Sequence, residues 1–329
     1  MSARAEVERE MEGFRNAHAQ LRAALSEIVV GHEEPLDQIL TALFAGGHAL
    51  LEGVPGLGKT LLVRTLAGTL GLSFGRVQCT PDLMPADVTG TTVVSEEDGK
   101  RVFAFRPGPV FTHLLLVDEV NRATPKTQSA LLEAMEEHAV TVAGKTHRIE
   151  EPFLVLATQN PLEMEGTFPL PEAQLDRFLL KVLFRSPTGE DLLTIVDRTT
   201  GAPTAPPRRV LEGPGVRELQ ALVREVVLDG PARTHIAALV EATSPGGKGA
   251  PAGVRRYVRF GASPRGAQAL ALGGKVHALV TGRPHVSVAD VRAVARPALR
   301  HRLLLNFEGE AEGASAETLL DEVLAAVPA

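Results

Sequence analysis

The chain has 329 residues, a length typical of about two domains. Hydrophobic residues make up 44% of it and charged residues 22%, a composition that excludes wholesale disorder. The formal net charge of −6 argues against a protein that holds nucleic acid by charge alone. The single cysteine, Cys79, excludes an internal disulfide and any metal site built from several cysteines.

Targeting and membrane signals are missing from the composition and from the N-terminus. No apolar run approaches the roughly 20 residues that a membrane helix needs, and the first residues lack the apolar core of a signal peptide. Aromatic residues amount to only 4%, which disfavours surfaces that stack nucleic-acid bases. We therefore expect a cytoplasmic protein with no membrane insertion and with nucleic acid as an unlikely partner.

Residues 1–45 predict two helices that lead into a core domain. From Val7 to Ile28, apolar residues recur at spacings of four and three, which places them on one helical stripe. A shorter apolar helix that is opened by Pro35 follows.

Residues 46–185 predict an α/β core, because short apolar runs alternate with helical patterns. Apolar runs bounded by turns are typical of strands buried in a parallel sheet. The predicted strands are residues 48–51, 74–79, 114–117, 153–158 and 178–184. The predicted helices are residues 59–70 and 125–138, the second with Thr124 as its N-cap.

Two predicted hairpins interrupt this alternation. One covers residues 91–105 and turns at Asp98 and Gly99, and the other covers residues 140–149 and turns near Gly144. Neither is needed to build the sheet, so we interpret both as insertions.

The C-terminal part predicts a helical domain. Glycine and proline crowd residues 201–207, and we interpret residues 186–207 as a linker. Residues 208–329 form the second domain, with predicted helices at residues 216–227, 232–242, 264–281, 288–299 and 316–326.

A phosphate-binding loop lies between the first predicted core strand and its helix. The run Gly53-Val54-Pro55-Gly56-Leu57-Gly58-Lys59-Thr60 matches the pattern G-x-x-x-x-G-K-[ST] in full. Its glycines let backbone N–H groups turn around a phosphate, and the helix that follows adds its positive end. We therefore predict that residues 53–61, up to Leu61, bind ATP or ADP, with Lys59 on the β- and γ-phosphates and the Thr60 hydroxyl on Mg²⁺.

Asp118 and Glu119 follow an apolar strand and complete the predicted hydrolytic site. In α/β sheets, ligands bind at the carboxyl ends of strands, so Asp118 is placed to hold Mg²⁺ through water. Glu119 is then suited to polarise a water for attack on the γ-phosphate. A guanine-reading Asn-Lys-x-Asp motif does not occur, which disfavours a GTPase.

These motifs closely resemble the MoxR family of AAA+ ATPases. The resemblance is carried by residues 46–60, 118–137, 157–161 and 165–178, and it extends from about Val30 to the C-terminal domain. It implies an AAA+ core with a five-stranded parallel sheet flanked by helices, a C-terminal all-α lid, and assembly into a homohexameric ring. It also implies that the two hairpins face the central pore of that ring.

The resemblance implies roles for five further residues. Asn160 is similar to the first sensor, whose amide orients the attacking water. Arg177 resembles the arginine finger that is supplied to the nucleotide of a neighbouring subunit. Arg265 resembles the second sensor, which reports loss of the γ-phosphate through movement of the lid. Val30 and Gly31, in the run Val30-Gly31-His32, are similar to the loop on the adenine side.

Two of these interpretations leave alternatives. Arg177 can instead form a salt bridge with Asp176 or Glu172 of its own chain. Arg122, which follows the acidic pair, faces either the subunit interface or its own domain.

The function implied by the resemblance is that of an ATP-hydrolysing, chaperone-like remodelling machine. MoxR proteins mature or activate protein complexes, and several act with a partner that carries a von Willebrand factor A domain. The alternatives are a nucleic-acid motor similar to the MCM relatives and a nucleotide-switched scaffold. The identity of the client is not encoded in these residues.

Overall fold

The computed structural model describes residues 3–97, 100–161, 166–201 and 206–329. Two N-terminal helices, α1 (Ala3–Ser26) and α2 (Glu33–Ala45), pack against the core. Phe14 of α1 is fully buried, and its ring lies 5.0 Å from that of Phe44 on α2. The apolar stripe predicted for the first helix is thus the face that it buries.

The strands of the core domain alternate with helices, as the sequence predicts. The strands are β1 (Ala49–Glu52), β2 (Phe74–Gln78), β3 (Gly90–Glu97), β4 (Lys100–Pro107), β5 (Leu114–Asp118), β6 (Ala139–Val142), β7 (Lys145–Arg148), β8 (Leu154–Gln159) and β9 (Leu180–Leu183). The helices are α3 (Lys59–Leu70), α4 (Pro85–Thr89), α5 (Pro125–Glu137) and α6 (Glu172–Leu175). The predicted N-cap of α5 is confirmed, because the Thr124 hydroxyl accepts from the backbone N–H of Thr127.

A five-stranded parallel sheet in the order β2-β5-β8-β1-β9 forms the centre of this domain. All five residues of β5 are buried, which accounts for its continuous apolar sequence. The register pairs Gln78 with Asp118 and Glu52 with Gln159. The carboxyl ends of these four strands therefore meet at one edge of the sheet.

Two antiparallel hairpins extend from this sheet, β3–β4 and β6–β7. The predicted turn of the first, at Asp98 and Gly99, lies outside the described residues. The second turns at Ala143 and Gly144, whose φ angles of 49° and 77° suit a two-residue hairpin turn. The Phe105 ring stacks on the imidazole of His147 with centroids 3.8 Å apart, so the two hairpins are joined.

Helices dominate the rest of the chain. They are α7 (Gly189–Thr200), α8 (Gly213–Glu225), α9 (Gly230–Ala242), α10 (Ala252–Tyr257), α11 (Pro264–Val280), α12 (Val288–Leu299), α13 (Phe307–Ala311) and α14 (Ala316–Ala326). Two short ladders that the sequence did not predict join β10 (Val227–Leu228) to β12 (His285–Val286) and β11 (Val258–Phe260) to β13 (Leu304–Leu305). Among the described helices, none is both long enough and apolar enough to cross a bilayer.

Residues 186–207, which the sequence analysis interprets as a linker, contain the helix α7. This helix begins at a capping box, in which Thr188 and Asp191 each satisfy a backbone N–H of the other. None of its residues is fully buried. Glycine and proline around a weakly buried helix therefore gave the appearance of a linker in the sequence.

Arg302 fastens the helical domain to the core. Its side chain is 2% exposed, and its Nε donates to Oδ1 of Asp176 over 2.8 Å. Its Nη2 donates to the backbone oxygens of Asp176 and Phe178 over 3.0 and 2.8 Å. The neighbouring His301 is buried, which holds the pKa of its ring well below the ordinary value, and its Nε2 donates to the same Phe178 oxygen. A buried cation thus bridges the two domains.

We predict that Arg302→Ala lowers the free energy of unfolding by about 2–4 kcal/mol, because it removes a buried guanidinium that donates to the Asp176 carboxylate and to the backbone oxygens of Asp176 and Phe178. The control is Arg296→Ala, which removes a pair with Asp321 whose side chains are 51% and 56% exposed. That change should cost no more than about 1 kcal/mol. Urea unfolding measures both, and equal losses would contradict the bridging role of Arg302.

Candidate functional site

The phosphate loop connects β1 to α3 in the predicted conformation. Gly56 and Gly58 have φ angles of 85° and 75°, in the left-handed region that glycine adopts without strain. A Cβ at either position would meet no atom within 4 Å, so the requirement for glycine there is conformational rather than steric. The loop therefore leaves an open concavity at the N-terminus of α3.

Lys59 is the first residue of α3, and its ammonium donates to the backbone oxygen of Gly53. Partial burial lowers the pKa of Lys59, whereas the nearby carboxylates of Asp118 and Glu119 act in the opposite direction. The lysine thus spans its own loop, with its charge directed towards the acidic end of β5.

Asp118 ends β5 and is almost buried. Its Oδ2 accepts from Nε of Arg76 over 2.7 Å, and its Oδ1 accepts from the Thr158 hydroxyl over 3.2 Å. The same hydroxyl oxygen accepts from the backbone N–H of Glu119 over 2.9 Å. Thr158 and Arg76 were not predicted as site residues, yet together they fix the position of both acidic residues.

Glu119 has φ 56° and ψ 51°, a left-handed conformation that residues other than glycine rarely adopt. Its Oε2 accepts from Nε2 of Gln78 over 3.1 Å and from Nη1 of Arg122 over 3.0 Å. Arg122 therefore contacts the glutamate of its own chain. Strained backbone of this kind concentrates at functional sites, where surrounding contacts sustain it.

These groups surround a cleft of about 210 Å³. The predicted site residues that line it are Gly53, Pro55, Gly56, Leu57, Gly58, Lys59, Thr60, Asp118, Glu119 and Asn160. The Thr60 hydroxyl and the Asp118 carboxylate supply oxygen ligands of the kind that Mg²⁺ prefers, so the donor set fits this ion. When bound beside phosphate oxygens, Mg²⁺ would neutralise their charge.

A second cavity of about 230 Å³ adjoins the cleft, since Gly56, Leu57 and Gly58 line both. Its lining is mainly apolar and includes the predicted Val30 and Leu61. A phosphate cleft that continues into an apolar cavity matches the two halves of a nucleotide. Val54 is not among the described residues that line either cavity.

His32, which follows Val30 and Gly31 in the loop predicted on the adenine side, also lines this cavity, and its Nε2 is 3.0 Å from the Leu57 backbone oxygen. The sequence analysis missed other residues of the cavity. Ile195 and Thr199 reach it from α7, the helix that the sequence analysis did not predict. The sequence signals for α7 are its capping box and the helical spacing of Leu192, Ile195 and Val196.

The predicted Gly31 is not among the described residues that line this cavity, but it lies against Asp191 of α7. Its φ is 74°, and a Cβ there would lie 2.8 Å from Cγ of Asp191. Hydrogen bonds from the Thr188 hydroxyl and backbone N–H lower the pKa of Asp191, which caps the N-terminus of α7. Glycine at position 31 thus allows α7 to close on the loop that precedes α2.

Arg177 and Arg265 are not among the described residues that line the cleft. Nη1 of Arg177 pairs with Oε2 of Glu136, and Nη2 of Arg265 pairs with Oε1 of the same carboxylate. Arg265, predicted as the second sensor, therefore lies beside Arg177 and away from the phosphate loop of its own chain. Arg177 does form a salt bridge, but to Glu136 on α5, because Asp176 is bound by Arg302.

Comparison with known proteins matches both domains. A family profile described as "ATPase family associated with various cellular activities (AAA)" matches residues 48–180, and an AAA lid domain profile matches residues 252–323.

Similar proteins span almost the whole chain. A Bacillus subtilis protein named YeaC is 42% identical over 308 residues, which are 92% of each chain. Chaperone MoxR1 of Mycobacterium tuberculosis is 39% identical and covers 92% of this chain and 80% of its own. Protein MoxR of Paracoccus denitrificans is 33% identical, with 94% and 96% covered. A crystal structure from Cytophaga hutchinsonii, described as a candidate ATPase, is 38% identical with a TM-score of 0.91, and 98% of both chains is covered.

We predict that Gly31→Ala weakens ATP binding about tenfold, because a side chain at this φ is strained and would push Asp191 and α7 away from the cavity. Gly189→Ala is the matched control at the start of α7, where a Cβ would meet nothing within 4 Å. Calorimetric titration with a non-hydrolysable ATP analogue measures both affinities. Equal affinity in the two variants would contradict the assignment of this cavity to the base.

Proposed function

Because the chain belongs to the MoxR family of AAA+ ATPases, we propose that it hydrolyses ATP in order to remodel partner protein complexes. The observation that carries the proposal is the meeting of Lys59, Thr60, Asp118 and Glu119 in one cleft that continues into an apolar cavity. ATP or ADP would place its phosphates in the cleft and its base in the cavity.

The residues of the cleft divide the hydrolytic work among them. Lys59 would neutralise the β- and γ-phosphates, while Thr60 and Asp118 would hold Mg²⁺. Glu119 would polarise the attacking water, which Asn160 would orient from the end of β8. Support for this division comes from the contacts of Thr158, which set the positions of both acidic residues.

The positions of Arg177 and Arg265 support action on the nucleotide of a neighbouring subunit. Both guanidinium groups lie away from the cleft of their own chain and meet at Glu136 on another surface. A homohexameric ring would bring this surface against the next cleft, where Arg177 would neutralise charge on the transferring phosphoryl group. In this ring Arg265 would act as the second sensor beside Arg177.

The client is proposed to be a protein complex, reached together with a partner that carries a von Willebrand factor A domain. Support for a chaperone role comes from the name of the relative Chaperone MoxR1, and the partner rests on the family resemblance alone. Affinity capture with the ATP-trapped Glu119→Gln protein tests this point. The wild-type protein and the ADP-bound state are the controls. If no protein with a von Willebrand factor A domain is recovered with ATP, the proposed partner is contradicted.

We predict that Glu119→Gln retains ATP binding but loses steady-state hydrolysis, because it removes the water-activating carboxylate and leaves the phosphate loop intact. Lys59→Ala should lose binding itself, since it removes the cation that faces the β- and γ-phosphates. Lys126→Ala, at an exposed lysine in the first turn of α5, is the control and should change neither property. Turnover and calorimetric assays measure the two effects. Near-wild-type turnover by Glu119→Gln would remove its role as base.

We predict that Arg177→Ala binds ATP normally yet hydrolyses it at least about tenfold more slowly. The reason is that Arg177 would stabilise the transition state in the cleft of a neighbouring subunit. Mixing Arg177→Ala with Lys59→Ala protein should restore activity, since an intact cleft can then face an intact arginine. The rescue should grow with total protein concentration. Sedimentation checks that the two proteins assemble together, and co-assembly without rescue would assign Arg177 a structural role.

A further inference from the structure

We propose that Glu136 is a positioning residue for hydrolysis, which holds the guanidinium groups of Arg177 and Arg265 together for use on a neighbouring subunit's nucleotide. This inference rests on the proposed trans role of Arg177. It adds a residue that contacts no nucleotide and acts through the two arginines.

The geometry gives each arginine one oxygen of the carboxylate. Oε2 of Glu136 accepts from Nη1 of Arg177, and Oε1 accepts from Nη2 of Arg265. Nη1 of Arg177 also donates to the Leu132 backbone oxygen, 3.1 Å away on the same helix. These contacts hold the two guanidinium groups from one side. Each group uses only part of its five N–H donors in them. The remaining Nη donors are available for a phosphate, whereas Nε of Arg177 is buried.

Electrostatics explain why a carboxylate is required there. Two guanidinium groups at contact distance of one anion repel each other, and the negative charge of Glu136 offsets that repulsion. The three side chains are 31%, 37% and 39% exposed for Arg177, Glu136 and Arg265, so water screens the pairs only in part. The trio keeps a net charge of +1.

Glu136 also connects elements that are distant in the chain. Arg177 follows α6 in the core, whereas Arg265 lies in the first turn of α11 in the helical domain. The contact between Arg265 and Glu136 spans 129 residues. Because α5 carries the shared carboxylate, the relative position of the two arginines depends on how the helical domain sits on the core.

Space for an approaching subunit lies beside this trio. Glu136 and Arg177 line a surface cavity of about 620 Å³ between α5 and the β6–β7 hairpin. Arg177 is thus held at the rim of an open concavity, and Arg265 is joined to it through Glu136.

The test replaces Glu136 by the isosteric glutamine and measures kcat, KM and complementation. We expect Glu136→Gln to lower kcat about tenfold, because misplaced arginine donors stabilise the transition state on the neighbouring subunit less well. KM should stay within about twofold of the wild-type value, because the cleft of the same chain is unchanged. Since the side chain lies on the exposed face of α5, the unfolding midpoint should not move. Glu136→Asp keeps the charge but has a shorter side chain. Its kcat should lie between those of the wild-type and Glu136→Gln proteins.

The matched control is Glu137→Gln, the next residue of α5. It is also exposed, and its carboxylate forms no ion pair with the residues that the structure describes. It carries the same change of charge and should hydrolyse ATP at the wild-type rate. Equal kcat for the two glutamine variants overturns the proposal.

Complementation separates positioning from a general structural role. Mixed with Lys59→Ala, the Glu136→Gln protein should gain about fivefold in rate per intact cleft in rings with random neighbours, because half of those clefts then face unaltered arginines. Mixed with Arg177→Ala, it should gain nothing, since both chains alter the same surface. Rescue by Arg177→Ala, or none by Lys59→Ala, overturns the proposal.

The same assays distinguish this proposal from the one on which it rests. If Arg177→Ala complements Lys59→Ala while Glu136→Gln behaves like its control, the trans role of Arg177 stands and the role of Glu136 falls. If Arg177→Ala alone turns over at the wild-type rate, both fall together.

Discussion

The parallel pairing of β5 with β2 and β8 is the constraint on which the nucleotide site depends. It aligns Gln78 with Asp118 and places Thr158 where one hydroxyl contacts the Asp118 carboxylate and the Glu119 backbone. A shift of β8 by one residue would turn Thr158 to the other face of the sheet and release both contacts. The buried apolar residues of β5 that fix this register therefore matter to the site although none of them faces it.

Local sequence patterns were sufficient to predict much of the fold and the phosphate loop. The five sheet strands form with ends shifted by at most two residues, and α3, α12 and α14 have the predicted bounds. These elements carry their own signals, such as glycine spacing, buried apolar runs and serine caps. Lys59, Thr60, Asp118 and Glu119 were predictable because each lies beside such a signal and needs no knowledge of distant contacts.

The rest of the site depends on contacts between distant segments, which one sequence does not reveal. Arg76 and Thr158 become site residues only because β2 and β8 flank β5 in the sheet. The approach of Arg265 to Glu136 depends on how the helical domain docks, and Arg302 is the buried residue that holds this docking. The helix α7 was missed although Leu192, Ile195 and Val196 follow a helical spacing, because the glycine and proline residues around it suggested a linker.

The stacking of Phe105 on His147 has a mechanical consequence. The strand β6 begins at Ala139, two residues after α5 ends at Glu137, so one hairpin is almost continuous with that helix. A helix of this length is a stiff rod of about 20 Å, which begins near the acidic residues of the cleft. Any tilt of α5 would therefore displace the β6–β7 hairpin directly and the β3–β4 hairpin through the stacked rings. The two hairpins are thus mechanically coupled to α5 and to each other.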